Sequence, residues 1–383
     1  MRRLAPLFLF NVIFGAMEFL LPVKFSEAGV SVGLTAVLFS LVSLCSGLLD
    51  IPSGKLSDRI GRERLIAYSM VLAALAAVAL YFSNNVFVFF AAAVLFGASY
   101  GLNWSPLLAL IGDDAEKDGH GTAFGRFFRI VAIGEGLAPI GVAFLIAYLS
   151  LDAPFLAVAG VAILCLFLIY GAARKPATRA EEHARPFSYR DTLRLFRRSL
   201  PLNLFLVATA FFVAFFWESV WFTQPLVGFY ENSFMDSALI IAAFSVPSIL
   251  FSDVLGKFID RFGERRVFTL SSLLSVASFL AFYLSTALPM KVISIFVAAI
   301  GVLGIWLVMD VLTSRLHAPQ ERGEFFGILE TVRDIAYFAS PLFIALTYRF
   351  IGLEGVFAVN AVAALALLCV SFFALRTLPV KAL

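Results

Sequence analysis

The stretch Gly54-Lys-Leu-Ser-Asp58-Arg59-Ile-Gly61-Arg62-Glu-Arg64 is polar, punctuated by glycine, and set between two long apolar runs. It recurs 202 residues later as Gly256-Lys-Phe-Ile-Asp260-Arg261-Phe-Gly263-Glu264-Arg265-Arg266. At the same offset Gly121 falls on Gly323, Phe124 on Phe326, Gly125 on Gly327 and Pro139 on Pro341. A single stretch of this kind is an ordinary loop. Two, at one spacing and in one hydrophobic context, make the chain two copies of one unit.

Around these stretches the composition is that of a protein built for lipid. Hydrophobic residues make up 61% of the chain, charged residues only 14%, and mean hydropathy is +0.95, far from the profile of a soluble domain. Twelve apolar runs are long enough to cross a hydrocarbon core: 4–24, 32–53, 65–84, 86–111, 122–148, 153–173, 200–223, 236–255, 267–287, 289–313, 325–348 and 354–375. Lipid offers no hydrogen bonds to backbone groups, so each run is expected to be helical. The sequence therefore predicts an all-α integral membrane protein. Its twelve transmembrane helices form two six-helix, pseudo-symmetric halves, residues 1–173 and 200–383, joined by a basic cytoplasmic linker, 174–199.

Positive charge orients the spans. Of 29 Lys and Arg, those outside the helices crowd onto one side, with Lys24, Lys291 and Arg349 assigned to the other and Arg126, Arg129 and Arg333 inside spans. Both termini are accordingly expected in the cytoplasm, in a cell (inner) membrane. Met1-Arg-Arg before an apolar run has the start of a secretory signal, but Glu18 interrupts the apolar core and the run is of spanning length, so helix 1 is read as retained. The cysteines Cys45, Cys165 and Cys369 all fall in spans without metal-ligand spacing. No Walker-type phosphate loop is present, and the net charge of +3 follows from the orientation bias, which gives no reason to invoke nucleic acid. His120, His183 and His317 lie in loops or the linker and receive no role. Helices 3, 6, 9 and 12 carry no charge and are expected to face lipid, since ionisable groups at membrane depth face an interior or a wet cavity.

The repeated stretch resembles the loop between helices 2 and 3 of the major facilitator superfamily, which that family repeats between helices 8 and 9. The resemblance covers nearly the whole chain and is nearest in pattern to the drug:proton antiporter branch. It implies a monomeric secondary transporter without cofactor or metal, working by alternating access with its substrate site near the bilayer midplane between the halves. It also implies that Asp58 and Asp260 dock on the opposite half when the transporter faces outward. Two departures stand out. The buried Arg that precedes a Gly on helix 4 of that branch is missing from Val94-Leu-Phe-Gly97, and Gly134-Glu-Gly-Leu-Ala-Pro139-Ile-Gly141 matches its helix 5 motif only in part.

Gly54, Gly61, Gly256 and Gly263 are read as permitting a tight reversal and close helix packing; with Arg59, Arg64, Arg261, Arg265 and Arg266 they make up the expected gate. Comparing the copies adds two pairs. Arg62 corresponds to Glu264 and Asp113 to Arg315, so both positions reverse sign together, as partners in contact do. Within the membrane the ionisable set is Glu18, Arg129, Glu135, Glu218, Glu330, Arg333 and Asp334. Glu330, Asp334 and Tyr337 share a helical face, and Tyr337 corresponds to Glu135, which makes this face of helices 5 and 11 the expected coupling site. Asn11 and Glu18 are expected to point into the cavity, Glu218 to lie near the outer interface, and Asp50, Asp253 and Asp310 to act as gate or packing residues. Phe14, Trp104, Phe212, Phe215, Trp217, Trp221, Trp306 and Tyr337 are candidates for an aromatic cavity wall.

Five acids against two bases need protons or a cation. The first reading is proton-coupled efflux of a small lipophilic compound. A second is symport or exchange of an organic anion or metabolite, clamped by Arg129 or Arg333, and a third is a non-transporting sensor or a lipid scramblase. No nucleophile–base pair points to an enzyme.

Overall fold

The computed structural model describes residues 4–118, 120–172, 196–197, 199–316 and 319–375. Twelve helices account for nearly all of them: α1 (Leu4–Glu27), α2 (Val32–Ile60), α3 (Arg62–Phe82), α4 (Val86–Asp118), α5 (His120–Tyr148), α6 (Ala153–Ala172), α7 (Leu200–Tyr230), α8 (Phe234–Phe262), α9 (Glu264–Leu284), α10 (Leu288–Leu316), α11 (Pro319–Ile351) and α12 (Gly355–Ala374). No strand occurs among the described residues. Ten of the helices are spans by length and apolar composition alone. The predicted linker, with His183, lies almost wholly outside the described residues, as does His317.

Each half is built from the same neighbours. α2 packs on α4, α3 on α4 and α6, and α1 on α5 and α6; α8 packs on α10, α9 on α10 and α12, and α7 on α11 and α12. Small residues set the seams, as they do where helices associate in lipid. A Cβ on Gly97 or Gly101 of α4 would stand 2.5 or 2.6 Å from a backbone oxygen of α2, at Val42 and Ser46. In the second half Gly301 meets Ser271 and Ser275 across α9 and α10 in the same way. Across the halves α5 meets α8, α2 meets α11 and α1 meets α7.

The glycine-punctuated stretch is not the loop the sequence predicts. α2 stays helical through Ile60 and α8 through Phe262, and the whole reversal falls on one residue each time. Gly61 (φ 95°) and Gly263 (φ 81°) take the conformation side chains rarely adopt, while their amides close the preceding helix on Ser57 and Ile259 carbonyls at 3.0 and 2.9 Å. Gly54 and Gly256 are therefore helical, and a Cβ on Gly256 would meet nothing within 4 Å; close packing is not its role. Most other boundaries also extend past the apolar runs, because a run measures hydrocarbon while the helix continues into polar surroundings. Lys24, expected in a loop, is inside α1 and buried.

Candidate functional site

Three helices from both halves each bring one carboxylate to the middle of the bundle: Glu18 on α1, Glu135 on α5 and Glu218 on α7. None is more than 7% exposed. The approach of α1 to α5 is set by Gly15, whose absent side chain leaves room for the Glu135 backbone, 2.7 Å from where a Cβ would stand. One turn away Gly134 makes the same allowance for Asn11. Asn11 thus packs on α5, with Nδ2 donating to the Leu7 carbonyl at 2.8 Å. Glu218, expected near the outer interface, is buried within electrostatic reach of Glu18, as is Glu135. No ion pair reaches any of the three among the described residues, and Glu18 Oε2 and Glu218 Oε1 have no hydrogen-bond partner there. An unpartnered buried carboxylate is costly, and Glu18 is also repelled by both Glu218 and Glu135. The cluster consequently has a place for bound protons or a cation.

A second group lies nearer the end that carries the chain termini. On α11, Arg333 Nη2 stands 3.0 Å from Glu330 Oε1, and its guanidinium carbon lies 4.9 Å from the centroid of the Trp306 ring on α10. Asp334 packs directly on α2, its Oδ2 3.2 Å from the position of a Gly47 Cβ. Asp50 on α2 feels both Glu330 and Asp334, and Asp310 feels Arg333. Of the face expected on helices 5 and 11, Glu135 acts on Glu18 in the buried trio, and Glu330 and Asp334 act on, or are acted on by, Asp50. Two tyrosines connect the groups. Tyr100 on α4 is within electrostatic reach of Glu18, Glu135 and Asp50, and Tyr337 of Glu218, Glu330 and Asp334. Tyr100, which no motif or charge pattern marks in the sequence, stacks between Phe14 and Trp104 at centroid distances of 4.3 and 5.6 Å.

Arg129 belongs to neither group. Its Nη2 lies 3.6 Å from Asp253 Oδ2 of α8, an ion pair that crosses the halves and leaves both side chains more than half exposed. Arg315 donates to Glu264 and also lies 3.6 Å from Asp260. Arg62 and Arg64 open α3, whereas Asp58, Arg59 and Asp113 have side chains outside those described, so the first-half pair proposed from sign reversal cannot be placed. Phe212 packs on Phe279 of α9 and Phe215 on Phe343 of α11, inside the second half. Trp217 faces Trp306 at 6.4 Å.

Each half also carries a lysine–carboxylate pair at the opposite end, its lysines on the non-equivalent helices α1 and α10. Lys24 reaches Asp152 at 2.5 Å, just before α6, and Lys291 reaches Glu354 at 2.7 Å, just before α12. Asp152 and Glu354 correspond at the 202-residue offset, whereas Lys24 falls on Leu226 and Lys291 on Phe89, so the repeat marks the acids and not their partners. Their end of the bundle is closely packed: α1 from Ala16 to Phe25 and α7 from Glu218 to Gly228 are buried throughout, and Phe39 of α2 meets Phe222 of α7 at 5.4 Å.

The family description "Major Facilitator Superfamily" matches residues 7–239 and 208–382. Among curated relatives, the Multidrug resistance protein MdtG of Escherichia coli O17:K52:H18 (strain UMN026 / ExPEC) is 25% identical over 340 residues, covering 85% of this chain and 81% of that protein. A crystal structure of a mutant of the nucleoside transporter NupG superposes with a TM-score of 0.83 at 12% identity, covering 97% and 98% of the two chains. A bacterial homologue of the human lysosomal transporter Spinster gives 0.77 at 16% identity, covering 99% and 96%.

Proposed function

This chain belongs to the major facilitator superfamily, and on that premise we propose that it expels a small lipophilic compound in exchange for protons. Membership makes it a multi-pass membrane protein that carries small molecules across the bilayer, not an enzyme. The observation that carries the finer reading is the trio Glu18, Glu135 and Glu218, buried, contributed by both halves and without a basic partner among the described residues. A carrier that hands the same site alternately to protons and to a solute needs carboxylates in that condition. The name of the MdtG relatives, multidrug resistance, points the same way. The stacked Phe14, Tyr100 and Trp104 beside the trio offer an apolar wall.

In this reading the protein is a monomer in the cell (inner) membrane with both termini cytoplasmic. The closely packed end then faces outward. Organic-anion exchange is the weaker alternative, because both bases offered for it are engaged: Arg129 with Asp253, and Arg333 with Glu330 and Trp306. Titration of purified protein with tetraphenylphosphonium or ethidium in weakly buffered detergent solution tests the proposal. Binding is expected to release protons, and Glu18→Gln or Glu218→Gln to reduce that release. Binding without proton release in the unmodified protein contradicts it.

A further inference from the structure

Arg265 and Arg266, adjacent in the first turn of α9, have no carboxylate within ion-pair distance among the described residues; neighbouring Glu264 is taken by Arg315. Both arginines open onto a surface cavity of about 470 Å³ whose wall is completed by Thr269 and Leu270. The length of α9 fixes the depth of this cavity. Its 21 residues rise about 31 Å, close to the thickness of a hydrocarbon core, so the first turn sits at the membrane boundary. Below it the outward surface is apolar: Leu270, Leu273 and Leu274 on α9 and Phe372 and Phe373 on α12 are all exposed.

The guanidinium carbon of Arg265 lies 6.0 Å from the Phe372 ring centroid, which holds the charge against that apolar wall. Thr269 Oγ1 donates to the Arg265 carbonyl at 2.9 Å, so the donors available to a ligand are the two guanidiniums. Two arginines above a greasy slope match one kind of molecule, an anion with hydrocarbon chains. We propose that this cavity binds the phosphate of an anionic phospholipid, with the acyl chains lying along α9 and α12. Guanidinium suits the task because its fork of donors meets phosphate oxygens in pairs. The other half lacks the site: the corresponding residues of α3 are Glu63 and Arg64, whose charges oppose each other. The inference is independent of what the transporter carries.

Native mass spectrometry of the protein in detergent, with equal amounts of dioleoylphosphatidylglycerol and dioleoylphosphatidylcholine, tests it. Phosphatidylglycerol should be retained preferentially and should raise the melting temperature, whereas inorganic phosphate at the same concentration should do neither. Each of Arg265→Gln and Arg266→Gln should lower that retention by about fivefold, and Arg265→Lys should keep part of it. Equal retention of the two lipids, or unchanged retention in both Gln variants, overturns the proposal; inorganic phosphate matching the lipid overturns the lipid as the occupant.

Discussion

Glu264 has 1% of its side chain exposed, while Arg315, which meets its charge, has 43%. The two ends of this pair should therefore respond unequally to removal. Arg315→Ala strands a carboxylate in a buried position and is expected to lower stability by about 3 kcal/mol; Glu264→Gln leaves an arginine that solvent already reaches and that still faces Asp260, and should cost clearly less. Denaturation in detergent micelles gives the order, and a larger loss in Glu264→Gln contradicts it. This contact was legible in the sequence because the signs at 62 and 264 and at 113 and 315 reverse together. Lys24 was not. A lysine at the edge of an apolar run reads as the end of a span, and only the fold shows Asp152 close enough to accept it within the helix.

Among the elements α7 is the most burdened with polar groups that the packing leaves unanswered. Gln224 is fully buried with neither side-chain atom hydrogen-bonded among the described residues, and Trp221 Nε1, Thr223 Oγ1 and Glu218 Oε1 share that condition. A conformation in which this end opens would hydrate them, so the closely packed arrangement carries a cost that the open one lacks. Gln224→Leu, similar in size and apolar, is expected to raise stability by about 1 kcal/mol and to slow transport, because the end that must open opens less readily. Lower stability together with normal transport contradicts this account. Helix number and order could be read from the sequence, since twelve apolar runs state them outright. The face of α7 bearing Glu218 could not: its counterpart at the 202-residue offset is Ala16, and the neighbours that bury it come partly from the other half.

At the scale of the molecule, two equivalent seams join the halves with different electrostatics. Where α5 meets α8, Arg129 and Asp253 attract; where α2 meets α11, Asp50 faces Glu330 and Asp334, with Arg333 bound to Glu330. The repeat made the doubled architecture legible, but a repeat describes each half alone. The carboxylates that converge between halves come from α1, α5 and α7, and no periodicity within a single helix announces that convergence. The central claim is that this convergence couples solute movement to protons. Accumulation of ethidium in proteoliposomes, with and without an imposed pH gradient, tests it most directly. The account predicts uphill accumulation only with the gradient, lost in Glu135→Gln while ethidium exchange at equal pH persists; accumulation indifferent to the gradient in the unmodified protein would contradict it.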